Sequence, residues 1–194
     1  MQSRYDLDSL SDGLRIRNLS ENRAFLSASL SGYSRALPDT QSDSINLQRR
    51  FYTLDGEPLV DQPLQNGDMV LVELAYQLSE SLNHLLIVDL LPAGLELENQ
   101  NLATSYDLDD LKIKGSSVTG LMQELDIRHQ EFRDDRYVAA LNTGWQKRAR
   151  LFYLARAVSP GVFTLPPTFA EDMYRPEIRH QGEAAGQIEI RAGE

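Results

Sequence analysis

Apolar and polar positions alternate with a period of two through much of the 194-residue chain. Along Met69–Leu78, Val70, Val72, Leu74, Tyr76 and Leu78 share one face, while Glu73 and Gln77 share the other. Leu86, Val88 and Leu90 repeat the pattern, as do Ile188 and Ile190. Nearer the start, Leu14 and Ile16 alternate with Arg15 and Arg17, and Leu26, Ala28 and Leu30 with Ser27, Ser29 and Ser31. Successive side chains of a strand point to opposite faces, so this pattern predicts antiparallel strands with one buried and one solvated face. Turn residues fall between the runs: Asp55-Gly56, Asn66-Gly67-Asp68 and Leu91-Pro92-Ala93-Gly94. Many short strands separated by such signals predict an all-β antiparallel sandwich.

Two stretches lack the alternation. Residues 34–44 are small and polar and predict a linker, which divides the chain into a first β unit at 1–33 and a sandwich over 45–194. Residues 101–133 predict a long, partly helical insertion, with a helical turn near Asp107 and a short helix over 121–132. A loop of that length is usually functional or disordered.

Composition then narrows the chemistry. The net charge of −10 argues against non-specific nucleic-acid binding, which needs basic patches. The chain has no cysteine, which removes disulfides, thiolate metal sites and thiol nucleophiles together. No apolar run reaches membrane-spanning length, and the polar first dozen residues are unlike a signal peptide, so an export signal is expected upstream in a longer protein. His84, His129 and His180 have no partner at helical zinc spacing; His84 is expected near a strand start and the other two exposed. Asp107, Asp109 and Asp110 lack the glycine and distal glutamate of a calcium loop. Arg133-Asp134-Asp135-Arg136 predicts a charged turn with weak local ion pairs. No nucleophile–base pair or closed ligand set can be assembled, so the expectation is no catalysis, no metal and no cofactor.

The segment 152–177 is the most distinctive. It predicts a strand, a Ser159-Pro160-Gly161 turn and a second strand stopped by Pro166-Pro167. Beyond that stop lie Glu171, Asp172, Met173, Tyr174 and Arg175, in a setting too polar for a core strand. A methionine beside a tyrosine offers an adaptable contact surface, or it caps an open end of the sandwich. The residues alone leave both readings open.

Several blocks, in order, resemble the bacterial alpha-2-macroglobulins. They are Arg50-Phe51-Tyr52-Thr53-Leu54-Asp55-Gly56, Gln65-Asn66-Gly67-Asp68 with the strand after it, and Val88-Asp89-Leu90-Leu91-Pro92-Ala93-Gly94. Arg133-Asp134-Asp135-Arg136, Arg156 through Pro167 and Ala170 through Glu177 follow, with Leu26 through Tyr33 similar to the last strand of a preceding β domain. The resemblance implies a macroglobulin-like sandwich that is the non-catalytic C-terminal domain of a periplasmic protease trap. It implies contacts with other domains of the parent chain and, through the full-length protein, with target proteases. Association with cell-wall synthesis or envelope proteins is implied as well. In members with a Cys-x-Glu-Gln thioester, the positions matching Met173 and Tyr174 form a lid over it, flanked here by Glu171, Asp172 and Arg175. Neither the thioester cysteine nor a bait region lies in this chain. The competing reading is an independent β-sandwich module for surface binding or adhesion.

Overall fold

The computed structural model describes residues 43–60, 62–98, 107–182 and 186–193, with residues 16–19, 22, 23, 25, 27 and 29. The chain divides into two compact units, Met1–Pro38 and Asp39–Glu194. The alternations at 14–17 and 26–31 and the predicted linker fall largely outside the described residues, and all elements below belong to the second unit.

Its strands are β1 (Ile45–Tyr52), β2 (Leu64–Gln65), β3 (Met69–Leu78), β4 (Leu85–Leu90), β5 (Leu95–Leu97), β6 (Lys112–Ile113) and β7 (Ser116–Ser117). After a helix α1 (Val118–Met122) come β8 (Asp126–Arg133), β9 (Arg136–Asn142), β10 (Arg148–Ala157), β11 (Gly161–Thr164), β12 (Thr168–Asp172), β13 (Arg175–Gln181) and β14 (Gln187–Arg191). One sheet runs β1-β3-β10-β5 and another β13-β12-β4-β9-β8. Every pairing within these two sheets is antiparallel. The predicted face of β3 (Val70, Val72, Leu74, Tyr76, Leu78) packs with Leu151 and Tyr153 of β10 against Leu85 and Ile87 of β4 and Tyr137, Ala139 and Leu141 of β9. This is a sandwich core, but β4 turns Leu85, Ile87 and Asp89 into it and leaves Leu90 exposed, the reverse of the Leu86-Val88-Leu90 face that its alternation predicts.

A third sheet, β11-β14-β2, closes one end, with β14 antiparallel to β11 and parallel to β2. Leu64 and Ile190 bring it into the same core. Gly94 permits this closure: a Cβ there would lie 2.3 Å from the Phe163 ring and 2.7 Å from Ile190 Cδ1.

A buried polar group bridges the two large sheets. Asp89 of β4, fully buried, accepts 2.6 Å hydrogen bonds from Arg49 Nη1 of β1 and from the Tyr153 hydroxyl of β10. Arg49 also donates to the Pro166 carbonyl at 2.7 Å and stands over the Phe51 ring. Burial pushes the Asp89 carboxyl above its ordinary value, against the pull of Arg49 and of the Tyr153 hydroxyl. Tyr153 in turn stacks on Tyr137 with ring centroids 4.7 Å apart.

The outer face of the first sheet departs from expectation. Leu71, Phe152 and Leu154 point away from the main core, yet they are buried under Leu111, Ile113 and Val118, with Tyr52 beside them. The β6–β7 hairpin and α1 therefore form a cover over this face. Glu73, expected in solvent beside Gln77, is fully buried there. The Tyr52 hydroxyl donates to it at 2.8 Å, and Arg50 and Arg150 approach its two oxygens at 3.4 and 3.2 Å. Gly56 lets the cover sit close: its φ is +81°, and a Cβ would meet the Lys112 carbonyl oxygen at 2.1 Å.

The long helical insertion is not found. Among the described residues of 107–133, helix is confined to the five residues of α1, started by Ser117, whose hydroxyl accepts from Gly120 N at 3.1 Å. Most of the predicted helix at 121–132 is the edge strand β8, paired with β9. A register shift between Ile127 and His129 explains why its alternation was hidden. The extra residue lets Ile127 and Phe132 reach the same core although their separation is odd. His180 also differs from expectation: it is 9% exposed, because β13 turns it toward the backbone of Ile45 and Leu47 in β1. His129 is exposed, and His84 immediately precedes β4.

Candidate functional site

Strands β12 and β13 form a hairpin in which Asp172 faces Arg175, leaving Met173 and Tyr174 as a two-residue tip. Such tips usually need glycine or asparagine with positive φ. Here Lys114 is the non-glycine residue with positive φ among the described residues, so the Met-Tyr tip holds its shape by other means.

Asp172 supplies them. Its carboxylate is buried, and Oδ1 accepts from the amides of Tyr174 at 3.0 Å and Arg175 at 3.2 Å. Oδ2 accepts from Arg175 Nε at 3.1 Å and Nη2 at 2.9 Å, a two-pronged pair. Burial pushes this carboxyl up, but the two amides and the Arg175 guanidinium outweigh it and hold the group below its ordinary value. Arg175 reaches on to Glu80 Oε2 at 3.1 Å, tying the hairpin to the β3–β4 loop. On the other side, Met173 N donates to the His84 carbonyl at 2.9 Å, and the His84 ring meets Tyr174 edge-on at 4.6 Å.

The result is a braced tip with its two large side chains in solvent. Met173 is 51% and Tyr174 75% exposed. Glu171 sits half-buried on β12, opposite Arg179 of β13 and Leu86 of β4. The structure thus brings Asp172 and Arg175 together beneath Met173 and Tyr174, with Glu171 one position behind. Sequence reasoning did not find Glu80 and His84, which brace the tip from another loop. Their only signal was their nearness to the start of β4.

The tip offers a thioether and a phenol but no nucleophile with a base. A groove of about 910 Å³ beside β1, lined in part by Leu47, Phe51, Leu59, Val70 and Ile188, has among the described residues Glu189 as its one carboxylate and no histidine. Among the described residues no cluster of three His, Asp or Glu side chains stands ready for a metal ion, and no helix is long and apolar enough to cross a membrane. Asp107 is used locally, its Oδ1 accepting from Asp109 N at 2.9 Å. At the tip, Met173 and Tyr174 stand open to solvent.

Comparison with known proteins identifies the family. The family description "Bacterial Alpha-2-macroglobulin MG10 domain" matches residues 45–177. The alpha-2-macroglobulin of Xylella fastidiosa is 38% identical over 181 residues, 93% of this chain and 11% of that protein. That of Escherichia coli is 38% identical over 179 residues, again covering 92% and 11%. The crystal structure of native Escherichia coli alpha-2-macroglobulin from domain MG7 to the C-terminus superimposes with a TM-score of 0.72 at 40% identity, covering 82% of this chain and 25% of that one. The same protein activated by porcine elastase gives 0.74 at 39% identity, covering 82% and 14%. This chain therefore spans about a tenth of the length of the curated relatives it matches.

Proposed function

The chain belongs to the bacterial alpha-2-macroglobulins, and from that membership we propose that it is a non-catalytic domain of a protease trap, holding the resting state through contacts with other domains. The observation that carries this reading is the tip itself. Asp172, Arg175, Glu80 and His84 spend their polar groups on fixing Met173 and Tyr174 outward, although the sandwich core does not need these two side chains. A rigid, pre-shaped pair loses little conformational freedom when it docks, which favours a specific contact. In a parent with a thioester, the pair shields the reactive bond; in one without, it packs one domain on another. Glu171 and Arg175 rim the contact.

Residues 1–33 are, on this reading, the tail of a preceding β domain and 34–44 the linker to the sandwich. The parent acts in the periplasm on proteases that cut it, as the description of one relative as activated by elastase suggests. Envelope and cell-wall synthesis proteins are its further partners.

The test is the double change Met173→Ala/Tyr174→Ala in the full-length parent. A thioester-bearing parent is expected to react faster with a small amine. A parent without one is expected to be cleaved between domains at lower protease doses. Unchanged amine reactivity and unchanged cleavage would overturn the reading.

A further inference from the structure

The chain has a single tryptophan, Trp145, and it is 97% exposed. A tryptophan carries the largest apolar surface of any side chain and is highly buried on average, so full exposure on a water-soluble surface calls for a cause. Looseness of the backbone does not supply it. Trp145 lies in the turn between β9 and β10, which is fastened on every side. The Thr143 hydroxyl donates to the Leu82 carbonyl at 2.7 Å and accepts from Leu82 N at 3.1 Å. Gln146 N closes the turn on Thr143 O at 2.7 Å, Gln146 Nε2 reaches Glu124 at 2.7 Å, and Lys147 Nζ reaches Ser79 O at 2.8 Å. Gly144, with φ +51°, takes the corner. The turn is held, and the indole is held out.

Its position is the second observation. β4 lies between β12 and β9 in the sheet, Leu85 pairs with Asp172 on one side and with Leu141 on the other, and both tips open at that end. Neighbouring strands are about 4.8 Å apart, so the Met173-Tyr174 tip and the Trp145 turn emerge roughly 10 Å from each other. One loop joins them. Within 79–84, Ser79 and Leu82 are bonded to the Trp145 turn, while Glu80 and His84 are bonded or stacked to the Met173-Tyr174 tip. The third observation is charge. Lys147 and Arg148 follow Trp145 after Gln146, and neither pairs with a carboxylate among the described residues.

We propose that Trp145 is a second anchor of the same inter-domain contact surface, which runs from Met173-Tyr174 across the 79–84 loop to the β9–β10 turn. This rests on the proposed role of the Met-Tyr tip. The occupant is another domain of the parent polypeptide, since the relatives extend some nine-tenths of their length beyond the matched region, which covers 11% of them. Its matching face has an apolar centre that receives the indole and the Met-Tyr pair, and carboxylates opposite Lys147 and Arg148. Aromatic anchors flanked by arginine are the usual make-up of the strongly binding centre of an interface.

Hydroxyl-radical footprinting read by mass spectrometry tests this in the full-length resting parent, with the present chain as the exposed reference. Tryptophan, methionine and tyrosine all oxidise readily, so one experiment reports on all three anchors. The expected result is that Trp145 oxidises about tenfold or more slowly in the parent, together with Met173 and Tyr174, as desolvated interface anchors do. Protection of Met173 and Tyr174 with Trp145 reacting as in the reference would overturn this inference and leave the tip's role standing. Protection of Trp145 alone would uphold a docking surface at the β9–β10 turn but overturn its unity with the tip. All three reacting freely would overturn both readings.

Discussion

At the base of the Met173-Tyr174 tip, Asp172 accepts four hydrogen bonds from its own hairpin. Because the fold holds this carboxyl below its ordinary value, the folded state binds its proton less readily than the unfolded one. The stabilisation is therefore complete above about pH 4, the ordinary aspartate range, and is lost as pH falls through the lower folded value. Amide exchange at Tyr174 and Arg175 should quicken below that pH, and Asp172→Asn should bring the fast exchange up to neutral pH. Asp89 makes a different demand. Asp89→Ala removes the acceptor of the Tyr153 hydroxyl and the carboxylate partner of Arg49 between the sheets, leaving Arg49 only backbone carbonyls. Removing one partner of a buried pair costs about 3–5 kcal/mol, so urea denaturation should register a loss of that size. Both residues stand in plain sight in the chain, yet their roles were not legible there. Asp89 sits in a run that alternation marks as strand, and nothing local shows that its side chain meets Arg49, forty positions earlier.

At the scale of elements, the cover over the first sheet is a small satellite with its own apolar cluster. Ile113 is 4% exposed within it. Ile113→Asp places an unpaired carboxylate there at a cost of several kcal/mol, on the order of what desolvating a charge demands. The damage should stay local: amide exchange over 107–122 accelerates, while Ile87 and Ala139 in the main core remain protected. The inner face of β3 was legible because a strand writes its burial as alternation. β4, however, buries Leu85, Ile87 and Asp89 rather than the alternating Leu86, Val88 and Leu90, because in a run apolar at nearly every position the pattern does not say which face turns inward. The cover was not legible, since its contacts are made by two-residue strands too short to show any period. β8 was misread because its register shift breaks the alternation in mid-strand. In both places the information lies in pairing across the fold, which a local window does not contain.

Taken whole, the molecule keeps its buried core apart from the exposed Met173-Tyr174 tip. Met173 and Tyr174 are exposed, and their alanine substitution should shift the stability of this chain by less than about 0.5 kcal/mol in a denaturation curve, as surface changes do. A loss of several kcal/mol would place them with the core instead. The sequence marked Met173 and Tyr174 as large side chains beyond a proline stop, but the segment that it marks as too polar for a core strand is β12, an inner strand of the sheet, because Asp172 is paired with Arg175. Trp145 escaped notice because a lone tryptophan beside a glycine says nothing of exposure. The parallel pairing of β14 with β2 has a kinetic consequence. Ile190 meets Leu64 across most of the domain, so this contact carries one of the largest loop-closure costs in the fold and belongs among the last to form. Contacts absent from the transition state govern escape from the native state rather than arrival at it. Ile190→Ala, a core truncation costing about 2–5 kcal/mol, should therefore leave the refolding arm of a stopped-flow chevron nearly unmoved. It should raise the unfolding rate by roughly tenfold or more, so that the third sheet acts as the latch setting how long the sandwich stays closed.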